Sequence, residues 1–305
     1  MLRTPLLATV LCAATLCAAP LCAQQDRRDR DYLSRIDTTY AFDKRGTVSL
    51  TLGAGEIVVT AWNRDEVRVR ARSERTEMRM DATASRLSLE LARPRSGDTR
   101  YEVTVPVGVR VSARAMSGDI SITGTRGGVD ASSQSGDITI EDVTDMLDVS
   151  TLSGDISARG IVGHVDIRST NGDVSLADVK GDVEAASVSG DLTLRNVVAR
   201  DVRARSTSGD VTFDGAVDST GRYELASHSG SVSLIIPATT GAQLTVATYS
   251  GSIDSDFPIT LKPGEHGIGA TRRFTFEIGK GDARISAESF SGDITIRSKG
   301  RKPQD

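Results

Sequence analysis

The chain has 305 residues, with 37 Lys and Arg against 41 Asp and Glu, and its only cysteines are Cys12, Cys17 and Cys22. A net charge of −4 lacks the basic excess of a nucleic-acid binder, so no nucleic-acid partner is expected. With no cysteine beyond residue 22, the rest of the chain can form no disulfide, thiolate metal site or thiol nucleophile, and packing and backbone hydrogen bonds must hold it.

Residues 1–23 open on one Arg, continue as a short Ala- and Leu-rich run and close on small residues at Ala23. That is the pattern of a secretory signal peptide cut before Gln24. Acylation of Cys22 competes with it, but Pro20-Leu21 is a poor approach to a lipidated cysteine. Cleavage removes Arg3 and no acid, leaving 36 basic residues against 41 acidic ones, a charge of −5. No later apolar run reaches about 18 residues, so no transmembrane segment is expected after cleavage. The expected address is the periplasm or the outer-membrane or cell-surface periphery.

Residues 24–45, QQDRRDRDYLSRIDTTYAFDKR, are charged and aperiodic and read as a flexible leader. Residues 46–115 read as an irregular N-terminal β cap with a first coil. Within it, 47–71 alternate as two or three strands around Gly53 and Gly55, and Arg86–Ala92 and Tyr101–Ala115 resemble further strands, with Pro106-Val107-Gly108 as a turn.

From 116 to 298 the chain repeats. Ser-Gly-Asp or a close variant recurs with its Gly at 118, 136, 154, 172, 190, 209, 230, 251 and 292, in steps of 18, 18, 18, 18, 19, 21, 21 and 41. A fixed period near 20 signals a solenoid or an array. Counted from each Gly, the second residue is Ile120, Ile138, Ile156, Val174 and Leu192, and the eleventh is Val129, Leu147, Val165 and Val183. Alternation at period two around both positions means strands. The expected fold is therefore all-β, a single elongated parallel β-solenoid (β-helix) of about 18- to 21-residue coils, each strand pairing with its equivalent about 4.8 Å away. The 41-residue step would be two coils with the middle signal lost, or an insertion at 254–281. Residues 299–305 form a basic tail. At each corner, Gly supplies a positive φ, while Ser and Asp hydrogen-bond amides that the turn leaves unpaired.

The segments GEIVVTAWNRDEVRVRA, YEVTVPVGVRVSARAMSGDI and ISAESFSGDITI, with the serial Ser-Gly-Asp-Ile/Val coils between them, resemble the bacterial putative adhesin family, a domain of unknown function in exported envelope proteins. The resemblance covers residues 46–298. It implies a β-solenoid at the cell envelope and supplies no enzymatic residues.

Two sets of side chains stand out as candidate sites. Asp119, Asp137, Asp155, Asp173 and Asp191 share one corner, and Asp130, Asp148 and Asp166 share an outward strand position, so each set should stack as an acidic ladder. Ca²⁺ takes six to eight oxygens, whereas each corner offers one carboxylate. His164, His228 and His266 fall in different coils or loops without a second ligand at metal spacing, and no cofactor is expected. The second residue before each Gly should point outward, yet there the chain carries Met116, Gln134, Leu152, Thr170, Val188, Thr207, His228, Tyr249 and Phe290, more than half of them apolar or aromatic. Apolar groups recurring on an outward column suggest a contact stripe, with His228, Tyr249 and Phe290 as its aromatic end. A corner that bends the column inward, or cover from the 254–281 insertion, is the bland alternative.

These features favour a non-catalytic envelope scaffold or adhesin that binds a protein or glycan of another surface, or itself. A carbohydrate-active β-helix enzyme would need paired carboxylates beside sugar-stacking aromatics, and between Trp62 and Phe213 the only aromatic residue is Tyr101. An envelope-stress signalling accessory is a third possibility.

Overall fold

The computed structural model describes residues 34–93, 98–258 and 272–300. Residues 1–23, expected to be a signal peptide, the expected leader up to residue 33, the middle of the 254–281 segment and the tail from 301 lie outside the described residues. Among the described residues the protein is all-β, with 22 strands and no helix.

Its centre is a parallel ladder in register. Val129–Ser135, Thr144–Ser153, Val162–Asn171 and Val183–Ser189 pair in sequence, so that Val129, Leu147, Val165 and Val183 lie opposite one another in turn. A second ladder brings Ile138, Ile156, Val174 and Leu192 together in the same way. Equivalent apolar residues thus stack on themselves, and β-branched Val and Ile suit such a pleated, covered surface. Leu147, Val165, Ile138 and Ile156 are at most 1% exposed, each contributing about 1.5–3 kcal/mol relative to exposure. A third inward column completes each layer: Val143, Ile161, Val179 and Val197 are fully buried, next to isolated parallel bridges from Val162 to Lys180 to Val198.

The expectation of a wholly parallel stack needs correction, because the sheet is mixed. Ser34–Ala41 runs antiparallel to Glu66–Ser73, which runs antiparallel to Thr99–Pro106. Met78–Ala82 lies antiparallel on Arg86–Leu91, and Arg272–Ile278 lies antiparallel on Ala242–Ser250. The last layer of a parallel stack exposes a row of unpaired N–H and C=O groups. A chain that doubles back covers that row, and all four antiparallel pairs occur at the ends. The charged leader is corrected with it: residues 34–41 form a strand, with Ile36 packed against the core.

Layer order departs from chain order at both ends. Thr47–Trp62 lies between the strands of 86–106 and those of 110–123, with Ile57 opposite both Tyr101 and Ile120. At the other end Ala283–Ser291 inserts between Val211–Ser229 and Ala242–Ser250, with Ile285 opposite both Tyr223 and Leu244. The 41-residue step is therefore not two coils onward. After Ile253–Ser255 the described chain resumes as the antiparallel strand Arg272–Ile278 and then enters the stack one layer inward.

At the repeated corner, Gly136 has φ 140° and Gly154 φ 131°. A Cβ on either would collide with the carbonyl oxygen of the corner Gly one layer back. The recurring glycine serves both the turn and the close approach of successive layers.

Candidate functional site

The corner aspartates form one exposed column. The main-chain N–H of Asp137 donates to Asp119 Oδ1 at 3.0 Å, that of Asp155 to Asp137 at 2.9 Å, and those of Asp173 and Asp191 to Asp155 and Asp173 at 2.8 Å. Asp191 serves Asp210 in turn at 2.8 Å. One oxygen of each carboxylate is thus committed to the next layer, a charge-assisted bond that offsets repulsion along the column. At the far end Asp293 Oδ1 accepts from the Ser252 main chain at 2.7 Å and its hydroxyl at 2.8 Å. The backbone bond first, then the hydroxyl, hold the Asp293 carboxyl below the usual range.

Asp130, Asp148 and Asp166 lie opposite one another on the first ladder. Arg114 reaches Asp130 at 3.0 Å and Arg168 reaches Asp166 at 2.6 Å. Asp148 lies between these two ion pairs. Burial, then the charges of Asp166 and Asp130, push its carboxyl up against the opposing pull of Arg168. Among the described residues, no group of three or more His, Asp and Glu is arranged to hold a metal ion.

The outward column before the corner is exposed: Met116 52%, Leu152 54%, Val188 50%, Tyr249 48% and Phe290 48%. His228, Phe290 and Tyr249 come together at its end. Phe290 stacks on His228 at 4.8 Å with planes 15° apart, and on Tyr249 at 4.8 Å and 3°. Chain order would put Tyr249 in the middle. Phe290 takes that place because its layer inserts between the other two.

A shallow groove of about 780 Å³ runs along this ridge. It exists because the neighbouring outward column carries Ala186, Ala226 and Ala247, which leave room beside the aromatic rings. Its floor is a column of serines whose hydroxyls turn inward. Ser206 donates to Gly190 O at 3.1 Å, Ser227 to Gly209 O at 2.8 Å and Ser289 to Gly230 O at 2.9 Å. The charged rim is paired, Arg205 with Glu224 at 2.9 Å and Arg273 with Glu288 at 3.0 Å. The arrangement offers contact area and shape, with the hydroxyls of Ser206, Ser227 and Ser289 and the charges of its rim already engaged. Sequence reasoning passed over Arg205, Arg273 and Glu288; counting the fourth residue before each Gly would have found the alanines, Arg205 and Glu288.

The profile of the Toastrack DUF4097 family matches residues 47–297. The chain belongs to that family. The matched span begins with the strand Thr47–Trp62 and ends within Ile294–Lys299, so both interleaved layers belong to the Toastrack domain and the strand Ser34–Ala41 precedes it. No curated protein matches the chain.

Three crystal structures align with 87% of this chain. A putative adhesin from Bacteroides fragilis aligns over 98% of its own length at 14% identity with a TM-score of 0.39. A putative lipid binding protein from Parabacteroides distasonis aligns over 97% at 8% identity with a TM-score of 0.34. A putative cell adhesion protein from Clostridium sporogenes aligns over 100% at 12% identity with a TM-score of 0.24. Similarities this low carry no argument about ligand or activity. Among the described residues no helix is long and apolar enough to cross a membrane.

Proposed function

We propose that this Toastrack protein is a non-catalytic, exported envelope component, a β-solenoid-like rod that binds another surface through ladders of side chains along its length. The observation that carries the reading is the half-exposed stack of His228, Phe290 and Tyr249 at the end of an apolar ridge. Large apolar groups clustered on an exposed face mark interaction sites more often than solvated faces, and here they gather at the aromatic end of a column in which Gln134, Thr170 and Thr207 alternate with Met116, Leu152 and Val188. Exposed aromatics of this kind are the usual anchors of an interface. The corner aspartates act in this reading as structural acceptors, and the ridge is the contact surface. Export fits residues 1–23, with the periplasm or the cell-surface periphery as the address.

The test is retention of the chain from Gln24 onward on isolated envelope fractions and on immobilised envelope glycans, with turnover of those glycans followed in parallel. Saturable retention without turnover is the expected result. Glycan cleavage, or the absence of retention on any fraction, contradicts the proposal.

A further inference from the structure

What the ridge meets can be narrowed, on the footing that the ridge is the contact surface. Phe290 has both ring faces covered, by His228 on one side and Tyr249 on the other, each at 4.8 Å. A sugar ring packs its C–H groups on an open aromatic face, where the π density lies. Phe290 presents only its edge, so the centre of the stack is a poor sugar platform and a good apolar ridge.

Charge narrows it further. An acidic column runs along the corner side of the ridge. On the corner side, Asp210 and Asp293 bring the aspartates to seven; on the groove side stand Asp130, Asp148, Asp166, Glu184 and Glu224. The arginines among these twelve carboxylates are four, Arg114, Arg168, Arg203 and Arg205, an excess of eight acids. The whole chain has an excess of only four, 41 acids against 37 bases. Seven of the eight stand on the corner side, whereas the groove side carries five acids against four arginines, so acid is concentrated along the corner edge of the ridge. Two copies packed ridge to ridge in antiparallel would set the corner carboxylates of one against those of the other, and such like-charge juxtaposition suppresses association. The groove left by Ala186, Ala226 and Ala247 gives room for side chains of something else.

We infer that the ridge docks a cationic amphipathic polypeptide. Its apolar side chains lie against Val188, Phe290 and Tyr249 and into the groove, and its Lys or Arg side chains reach the flanking carboxylates.

The test uses the chain from Gln24 onward and three synthetic peptides of about four helical turns: one of alternating Leu and Lys blocks with an apolar face, one with Glu in place of Lys, and one with Ser in place of Leu. Fluorescence anisotropy at low and at high salt is the readout. The Leu/Lys peptide should bind, the other two at least about tenfold more weakly, and high salt should weaken the binding as screened charge contacts require. The variant D191N/D210N/D293N removes three charges beside Val188, Phe290 and Tyr249 while each Asn Oδ1 still accepts the next layer's N–H, and it should bind roughly tenfold more weakly. The control E66Q/E77Q/D81N removes three exposed charges far from the ridge and should bind as the parent does.

Equal binding of the Glu peptide, or equal loss in both neutralised variants, would overturn the inference. So would concentration-dependent dimerisation in sedimentation that H228S/Y249S/F290S abolishes. If H228S/Y249S/F290S loses retention on envelope fractions while D191N/D210N/D293N keeps it, the ridge stands as the contact surface and the cationic partner falls. If neither variant changes retention, both readings fall.

Discussion

Replacing Val165 with Asp should damage the fold far more than replacing its neighbour Asp166 with Val. Val165 is fully buried between Leu147 and Val183. Removing its side chain from the core loses about 1.5–3 kcal/mol of burial, and the incoming carboxyl, with only apolar groups opposite it on its own ladder, costs a few kcal/mol more. The sum, about 4–6 kcal/mol, corresponds to a fall in Tm of about 10–20 °C for a chain of this size. Asp166 points the other way. Its Oδ2 lies 2.6 Å from Arg168 while Oδ1 is buried without a partner, and its charge disfavours that of Asp148. Val at this position deletes an unsatisfied oxygen and a repulsion, frees one arginine and suits a strand. The net change should stay within about 1 kcal/mol, or about 3 °C. Thermal melts of both variants by circular dichroism decide the matter. Equal destabilisation, or a larger loss for Asp166→Val, would refute the assignment of inward and outward faces.

Gly154→Ala puts a Cβ at φ 131° against the carbonyl oxygen of Gly136, and melts should show a loss of about 2–4 kcal/mol. Asp148 carries a carboxyl held above its ordinary range by burial and by Asp166 and Asp130. Its contribution to stability is therefore present in acid, where it is protonated, and is lost as pH rises through the folded value. Asp148→Asn should accordingly raise Tm by about 1–2 °C at neutral pH, with the difference vanishing in acid; a gain that persists in acid would contradict the shift. Layer order can be read by cross-linking a chain whose cysteines all lie at or before residue 22. The pair H228C/F290C occupies adjacent layers and should oxidise readily. The pair H228C/Y249C lies two layers apart, about 9.6 Å, beyond disulfide reach, and ready oxidation of that pair would disprove the interleaving.

Much of the central ladder was legible because an 18-residue period carries its own register: Leu147, Val165 and Val183 are 18 apart in sequence and opposite in space. The third inward column was equally present at the seventh residue after each Gly, as Val143, Ile161, Val179 and Val197. It went unread because it contributes a single inward position between the two longer ladders, too short a stretch for alternation to register. Layer order at the ends was beyond reach for a different reason. Spacing along the chain measures contour length, and an antiparallel return such as Arg272–Ile278 lets the chain re-enter the stack one layer back without disturbing the repeat. The strand Ser34–Ala41 hid for want of burial, since Ile36 is its one residue packed against the core. The members of the candidate ridge could be named from their spacing, but the stacking of Phe290 between His228 and Tyr249 follows from that re-entry.

The most direct measurement for the central claim is a paired melt and surface-binding assay on H228S/Y249S/F290S. The three rings are exposed and stack on one another outside the core, so their loss should leave Tm nearly unchanged. Aromatic anchors carry about 2 kcal/mol or more each at an interface, so binding to the envelope fraction should weaken by well over about a hundredfold. A large fall in Tm while the folded fraction binds as the parent does would contradict the account, because the rings would then belong to the packing of the stack and the contact surface would lie elsewhere.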